Sequence, residues 1–259
     1  MSSAPHVIKP FPPARQTVVD AGWLASRRHL IHALLELDVT PVRQRLHAHK
    51  AATGESLSFT AFVVERFAHA IDQDRRVQAY RSWRNQLVIF DEVDVVTLIE
   101  TERGGVALPH IIRRANHRTF RDIHAEIRAV QAQPDRSAQS SRLSRLAPRL
   151  PAFARRLGYR YLLADPQRFK RFGGTCVVTS VGMFGRGSGW GLGFLPMHTL
   201  GLTVGGIAEK PGAINGRIEL REYLNLTITF DHDLVDGAPA ARFAQRLKDA
   251  LEAEDALTL

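Results

Sequence analysis

The residues best suited to chemistry lie near the end of the chain, in LNLTITFDHDLVDGAPAARF at residues 224–243, where a histidine stands among three aspartates. Apolar and polar residues alternate before it. This alternation predicts a strand with His232 on the apolar face and Asp231 and Asp233 on the other. An imidazole held in this way is partly desolvated and can act as a general base. The alternative is a buried histidine satisfied by a backbone carbonyl, which is commoner for an arbitrary strand histidine.

Two other kinds of chemistry are not expected. Adjacent strand residues point to opposite faces, so DHDLVD cannot converge on one ion, and we predict no metal site. The chain has one cysteine, Cys176. A single cysteine rules out an internal disulfide, and its thiol is predicted to fill the core rather than act as a nucleophile. Together with the lack of a secretory signal, this favours a cytoplasmic location.

The spacing of apolar residues and the positions of proline and glycine predict the elements that position the histidine. Four prolines in the first 20 residues predict an extended arm over residues 1–25. Helical spacing predicts helices at 26–35, 42–51, 58–74 with Ser58 as cap, and 119–130 with Thr119 as cap. Two short helical pieces are predicted within 143–157, and a last helix from about Pro239. Strands are predicted from about residue 34 up to Pro41, at 87–90, at 93–100, near 106–112 and between the glycines of 173–230. This order predicts an α+β fold.

The formal net charge of +9 is concentrated in one segment. Residues 134–170 hold nine Lys or Arg against two acids. The basic amphipathic stretch 143–157 within this segment can bind an acidic partner or a membrane surface, although a solvated basic face is the commoner case. Nucleic-acid binding would rest on charge alone, because neither an aromatic and basic platform nor a helix-turn-helix pattern is present. No apolar run approaches the roughly 20 residues that span a bilayer, so no membrane span is expected.

Two motifs carry a resemblance to a known family. FDHDLVDGAPAARF resembles the motif DHRxxDGAxAARF of the dihydrolipoyl acyltransferase component of 2-oxoacid dehydrogenase complexes, and chloramphenicol acetyltransferase carries a related HxxxDG. GGTCVVTSVGMFG resembles the family's GGTFTISNxGMFG. With the order of the upstream elements, the resemblance covers roughly residues 34–130 and 171–253.

The resemblance implies a two-layer α/β sandwich with a mixed sheet, similar to chloramphenicol acetyltransferase, over residues 26–259, with a basic insertion at about 132–170. It implies a homotrimer with the active site between subunits. His232 would deprotonate a thiol that attacks a thioester, and a hydroxyl of the neighbouring chain, from Thr179 or Ser180, would stabilise the oxyanion. Asp236 would support the site. Coenzyme A would be a substrate, and a lipoyl group would take part only if another protein supplied it, on a lipoyl or carrier domain.

Several features depart from the family's pattern. Asp233 replaces an arginine, which reverses a charge beside the histidine, and residues 185–200 retain little of the usual segment. No lipoyl-domain pattern precedes residue 30, so we expect a stand-alone catalytic domain; whether trimers form a larger assembly stays open. The alternative function is a catalytically silent homologue that forms a scaffolding trimer and binds an acidic partner through residues 134–170.

Overall fold

The computed structural model describes residues 6–99, 108–133, 150–182, 187–253 and 257. Its α-helices are α1 Pro13–Ala25, α2 Thr40–Thr53, α3 Phe59–Gln73, α4 Phe120–Ala132, α5 Ala152–Ala164, α6 Pro166–Gly173 and α7 Gly237–Glu252. Its strands are β1 Leu30–Asp38, β2 Tyr80–Arg81, β3 Leu87–Val88, β4 Val95–Ile99, β5 Leu108–Ile112, β6 Cys176–Ser180, β7 Leu200–Ile214 and β8 Arg217–Asp231. Within the described ranges, no helix is both long and apolar enough to cross a bilayer.

Six strands form one mixed sheet in the order β1-β8-β7-β6-β4-β5. β6 runs parallel to both β4 and β7, and the other neighbouring pairs are antiparallel. The inner face of β8 is fully buried and consists of Leu224, Leu226, Ile228 and Phe230. Helices cover this face. The other face carries threonines of β6, β7 and β8 together with apolar side chains of β4 and β6. The predicted α+β sandwich with a mixed sheet is therefore confirmed.

Phe243 of α7 joins the sheet to the helical layer. Its ring centroid lies 5.8 Å from that of Phe230 in β8 and 6.1 Å from that of Phe67 in α3, both edge-on. This is the geometry that the quadrupoles of aromatic rings favour. The ring of Phe243 thus packs between an aromatic side chain of the sheet and one of the helical layer.

The two capped helices form where their sequences predict them. The Ser58 hydroxyl accepts a hydrogen bond from the backbone N–H of Ala61, 3.2 Å away. Thr119 and Asp122 form a reciprocal capping box at the start of α4, which satisfies backbone donors that a helix start leaves free. Both predicted caps are confirmed.

The first helix corrects the predicted arm. Residues 13–25 form α1 rather than an extended segment, because Pro13 occupies the first helical turn, where proline loses no hydrogen bond. Asp20 of α1 is fully buried, and the Arg155 side chain of α5 donates to its carboxylate over 2.5 Å. The prolines thus mark a helix start, and the predicted extended arm is wrong for residues 13–25.

The helix predicted at 26–35 is also wrong. Residues 30–38 form the edge strand β1, which pairs antiparallel with β8 from Leu30 opposite Asp231 to Asp38 opposite Tyr223. This pairing outweighs the local helical spacing. Residues 217–231, which resemble two strands in sequence, form one continuous strand, and residues 189–194 contain no strand.

Part of the basic insertion is described. Residues 134–149 lie outside the described ranges, so the predicted helical pieces can be compared only from residue 150 onward. α5 begins after Pro151 and continues to Ala164 as one helix, and α6 begins at Pro166. Contacts of α5 with α1 place these two helices side by side.

Candidate active site

His232 is the first residue beyond β8. Its backbone N–H donates to the carbonyl of His29 over 2.7 Å, which anchors the chain before it turns into α7. The imidazole is 45% exposed, and its Nδ1 lies 3.9 Å from Oδ1 of Asp236, which is itself 84% exposed. This distance is too long for a hydrogen bond, so Asp236 is a charged neighbour of the ring rather than a partner that fixes its tautomer.

The predicted desolvation of the imidazole is wrong for a single chain. The alternation of β8 ends at Asp231, and the turn that follows directs His232 out of the sheet. The side chain is therefore neither packed among the apolar set nor satisfied in the core. An exposed imidazole at a strand end is available to a substrate or to a second chain.

Buried charges fix the segment that carries the histidine. Asp231 is paired with Arg28, and the guanidinium Nη2 also donates to the carbonyl of Met197 over 2.8 Å. Asp233 lies 2.9 Å from Nδ1 of His29. The reversed charge that Asp233 places beside His232 therefore faces a second imidazole, that of His29.

Thr179 and Ser180 project to opposite faces of the sheet. Thr179 is level with Thr203 of β7, which is level with Thr227 of β8, so all three lie on the outer face. Ser180 is level with Val204 and lies on the inner face with it. Of the two predicted hydroxyls, only that of Thr179 lines the cavity on the outer face.

One chain does not bring His232 and Thr179 together. Thr179 is level with Thr227, so His232 lies five residues further along and two strands across, a separation of about 19 Å at normal sheet spacings. A hydroxyl hydrogen bond needs about 2.7 Å. The predicted pair can therefore act on one substrate only if the two residues come from different chains.

The outer-face cavity measures about 420 Å³ and is enclosed by β6, β7 and the segment 191–198. His198 is one of the residues that line it. The ring Nε2–H of His198 donates to the carbonyl of Gly173 over 2.6 Å, and burial lowers the pKa of this histidine to about 4. His198 is therefore neutral near pH 7, and it is a structural residue that sequence reasoning did not find.

A second cavity of about 260 Å³ lies beside the histidine segment. Arg27, Arg28 and Arg81 line it together with Asp231 and Asp233. Sequence reasoning missed these arginines. The signal was the pair of arginines directly before β1, since antiparallel pairing of β1 with β8 carries them to the end of β8 where His232 lies.

The remaining candidates have structural roles. Cys176 is buried, and burial raises the pKa of its thiol well above its usual range, so the prediction of a core cysteine is confirmed. Gly174 has φ +68°, and a Cβ there would lie 2.6 Å from the carbonyl oxygen of Asp94. The glycine pair thus makes the tight turn before β6. Among the described residues, no group of three or more His, Cys, Asp or Glu could hold a metal.

The chain has a chloramphenicol acetyltransferase-like fold, with a mixed sheet, one helical layer and a histidine at the end of a strand. A chloramphenicol acetyltransferase structure covers 91% of this chain and 94% of its own with TM-score 0.54 at 14% identity. A probable dihydrolipoamide acetyltransferase from Listeria monocytogenes covers 98% of both chains with TM-score 0.72 at 20% identity.

The sequence comparison finds similarity to one family over part of the chain. Residues 164–259 match the model of the 2-oxoacid dehydrogenases acyltransferase (catalytic domain) family. The human dihydrolipoyllysine-residue succinyltransferase component of the 2-oxoglutarate dehydrogenase complex is 26% identical over 222 residues, which is 84% of this chain and 42% of that protein. The chain therefore spans less than half the length of this relative. The resemblance to the acyltransferase family is confirmed.

Proposed function

We propose that this chain is a coenzyme A-dependent acyltransferase domain that acts as a homotrimer, with each site shared by two chains. The observation that carries the proposal is the placement of His232 and Thr179. The histidine is exposed at one end of the sheet, and the threonine lines a cavity about 19 Å away in the same chain. A neighbouring chain is needed to bring the two functions to one substrate.

The reaction begins at the imidazole. A ring nitrogen of His232 accepts the proton of the attacking thiol, and the thiolate forms a bond to the thioester carbonyl carbon. The hydroxyl of Thr179 from the neighbouring chain donates to the oxygen that becomes negative. When the intermediate collapses, the bond to the leaving sulfur breaks, and this thiolate takes the proton back from the imidazolium.

Asp236 has an electrostatic role in this scheme. Its carboxylate lies 3.9 Å from Nδ1 of His232, so it stabilises the imidazolium that forms during proton transfer. In a single chain the pair is exposed to water, which weakens this effect. Coverage by a neighbouring chain would lower the local dielectric and strengthen it.

Coenzyme A is the proposed thiol on one side of the reaction. Arg27 and Arg81 in the cavity beside the histidine segment support this assignment, because arginine binds phosphate through paired hydrogen bonds. Arg28 of the same cavity is already held by Asp231. The proposed second thiol is a dihydrolipoyl group carried by another protein. A small-molecule acceptor is a further candidate. The cytoplasmic location and a larger assembly of trimers stay predictions.

The test measures release of coenzyme A from a panel of acyl thioesters with dihydrolipoamide as acceptor. Wild type is compared with His232→Ala and with His47→Ala, which removes another exposed imidazole, on α2. Loss of the general base is expected to lower kcat about 100- to 10,000-fold, and His47→Ala is expected to match wild type. Equal activity in all three proteins, or no activity with any donor, contradicts the proposal.

An observation on α5 favours a second candidate, the binding of an acidic partner. Phe153, Leu157 and Tyr161 are 76%, 66% and 63% exposed and lie on one face of the helix at a spacing of four residues. Arg160 is exposed beside them. An apolar row with a basic neighbour is suited to an acidic amphipathic segment.

Binding of fluorescent polyglutamate at increasing salt tests this second candidate. Arg160→Glu is expected to weaken binding, and the effect is expected to fade at high salt, where charges are screened. His232→Ala is expected to bind as wild type does. Binding that is independent of salt, or equal in Arg160→Glu, contradicts an acidic partner at α5.

A further inference from the structure

The cavity beside Thr179 has an almost wholly apolar wall. Its volume of about 420 Å³ is within the usual range of small-molecule pockets, roughly 300–1,000 Å³. Hydroxyl groups of threonine provide the few polar contacts. The apolar side chains that line it include Leu98, Val177, Val181, Leu192, Phe194 and Leu195.

The same wall contains no partner for a charged ligand. Among the described residues that line the cavity, none is Lys, Arg, Asp or Glu. His198 is the titratable side chain there, and its Nε2–H is already donated to the Gly173 carbonyl. Burial keeps this ring neutral near pH 7, since its pKa is lowered to about 4. A carboxylate placed in this cavity would therefore lose its hydration without gaining a counter-charge.

The position of Thr179 decides what the cavity receives. If its hydroxyl donates to the thioester oxygen, the carbonyl carbon lies within a few ångströms of Thr179, and the acyl chain must extend into the adjoining space. That space is the apolar cavity. Its size far exceeds what the two carbons of an acetyl group would fill.

We propose that this cavity is the acyl-chain pocket and selects uncharged, apolar acyl groups larger than acetyl, while it rejects dicarboxylic acyl groups such as succinyl. The inference rests on the proposed function. Each methylene buried in the cavity raises kcat/KM about fourfold until the cavity is full. A terminal carboxylate lowers it by about a hundredfold or more relative to the uncharged chain of equal length.

The first experiment compares acetyl-, butyryl-, isovaleryl-, hexanoyl- and succinyl-coenzyme A as donors for the wild-type protein, with release of coenzyme A as the readout. We expect kcat/KM to rise from acetyl- to hexanoyl-coenzyme A and to be far lower for succinyl- than for butyryl-coenzyme A. A flat series, or succinyl equal to butyryl, overturns the inference while the proposed function stands.

Two variants test the pocket itself. Leu98 is 41% exposed at the cavity wall, so Leu98→Trp fills the cavity without burying a new group in the core. It is expected to lower the activity with hexanoyl at least about tenfold more than the activity with acetyl. Val18→Trp is the matched control, because Val18 is 43% exposed on α1, away from the cavity. Leu192→Arg, at a position 65% exposed, supplies a cation and is expected to raise succinyl relative to butyryl.

A binding measurement separates the inference from the proposed function. Non-transferable thioether analogues of hexanoyl- and succinyl-coenzyme A are titrated calorimetrically into the intact wild-type protein and into Leu98→Trp. Tighter binding of the hexanoyl analogue, lost in Leu98→Trp, supports the pocket even if no donor turns over, a result that would refute the proposed function alone. Equal binding of both analogues, or binding unchanged in Leu98→Trp, overturns the pocket assignment.

Discussion

Two inactive variants of this chain should restore activity to each other when they assemble in one trimer. His232→Ala removes the general base, and Thr179→Ala removes the hydroxyl that lines the outer-face cavity. The two positions are about 19 Å apart in one chain at normal sheet spacings. If each site takes its histidine from one chain and its hydroxyl from the next, every site is inactive in a trimer of either variant alone. A mixed trimer of the two variants keeps one intact site.

The expected recovery follows from the symmetry of a closed ring. Loss of the base lowers kcat about 100- to 10,000-fold, and loss of one oxyanion donor lowers it about 100- to 1,000-fold. In a mixed trimer of either composition, one junction places an intact histidine beside an intact hydroxyl. Mixed trimers should therefore show about one third of the wild-type activity per trimer, far above either parent.

Coexpression with two different affinity tags, followed by tandem purification, provides the mixed trimers, and native mass spectrometry verifies their composition. The double variant coexpressed with either single variant is the control, since no junction in such a trimer holds both groups. Verified mixed trimers with no more activity than the parents would refute the shared site. So would full activity of Thr179→Ala alone.

Three further predictions concern stability and pH. Phe243→Ala removes a fully buried ring and is expected to lower the free energy of unfolding by about 3–5 kcal/mol. Phe153→Ala, at a position 76% exposed, is expected to change that free energy by less than about 0.5 kcal/mol. Urea denaturation measures both variants, and equal effects would contradict the packing described. Arg28→Ala leaves the buried carboxylate of Asp231 without its counter-charge and is expected to lower the free energy of unfolding by about 3–5 kcal/mol. Adding Asp231→Asn to this variant should restore part of the loss. An unchanged melting temperature in Arg28→Ala would exclude this role. The pKa of His198 is lowered from 6.5 to about 4, so as the pH falls the unfolded chain binds a proton at this histidine before the folded chain does. The free energy of unfolding should therefore decrease by about 3 kcal/mol between pH 6.5 and pH 4. His198→Gln should flatten this pH dependence, and an identical slope in the variant would show that another group is responsible.

The helical layer of this fold was predictable because the sequence signals for its helices are local. The cap residues Ser58 and Thr119 precede helical apolar spacing, and each makes the backbone hydrogen bonds that its position predicts. The last helix was recognisable from the turn glycine and the proline of DGAP. In these segments local preference and burial agree, so the sequence alone identifies the element.

The errors arose where distant pairing or the backbone context decided the outcome. Residues 30–35 have helical spacing but add a strand to β8, a partner far away in sequence. In the arm, two of the four prolines that suggested an extended chain, Pro12 and Pro13, lie at the start of α1.

The candidate site shows the same division between local and distant information. The motif located His232, but its exposure depends on where β8 ends. The choice between Thr179 and Ser180 needed the register of β6 against β7, because that register decides which side chain faces the cavity.

The central hairpin has a consequence for how the chain is made. β7 and β8 are joined by the two residues Asn215 and Gly216, both with positive φ, the backbone that a tight hairpin turn requires. The hairpin can therefore form as soon as it is synthesised. β1, its neighbour in the sheet, must wait, since Arg28 and Asp231 are separated by 203 residues. At about 5–20 residues per second, ribosomal synthesis leaves β1 unpaired for roughly 10–40 s. During that interval β1 lacks the strand with which it pairs in the folded sheet, and an unpaired strand of this kind can pair with another chain.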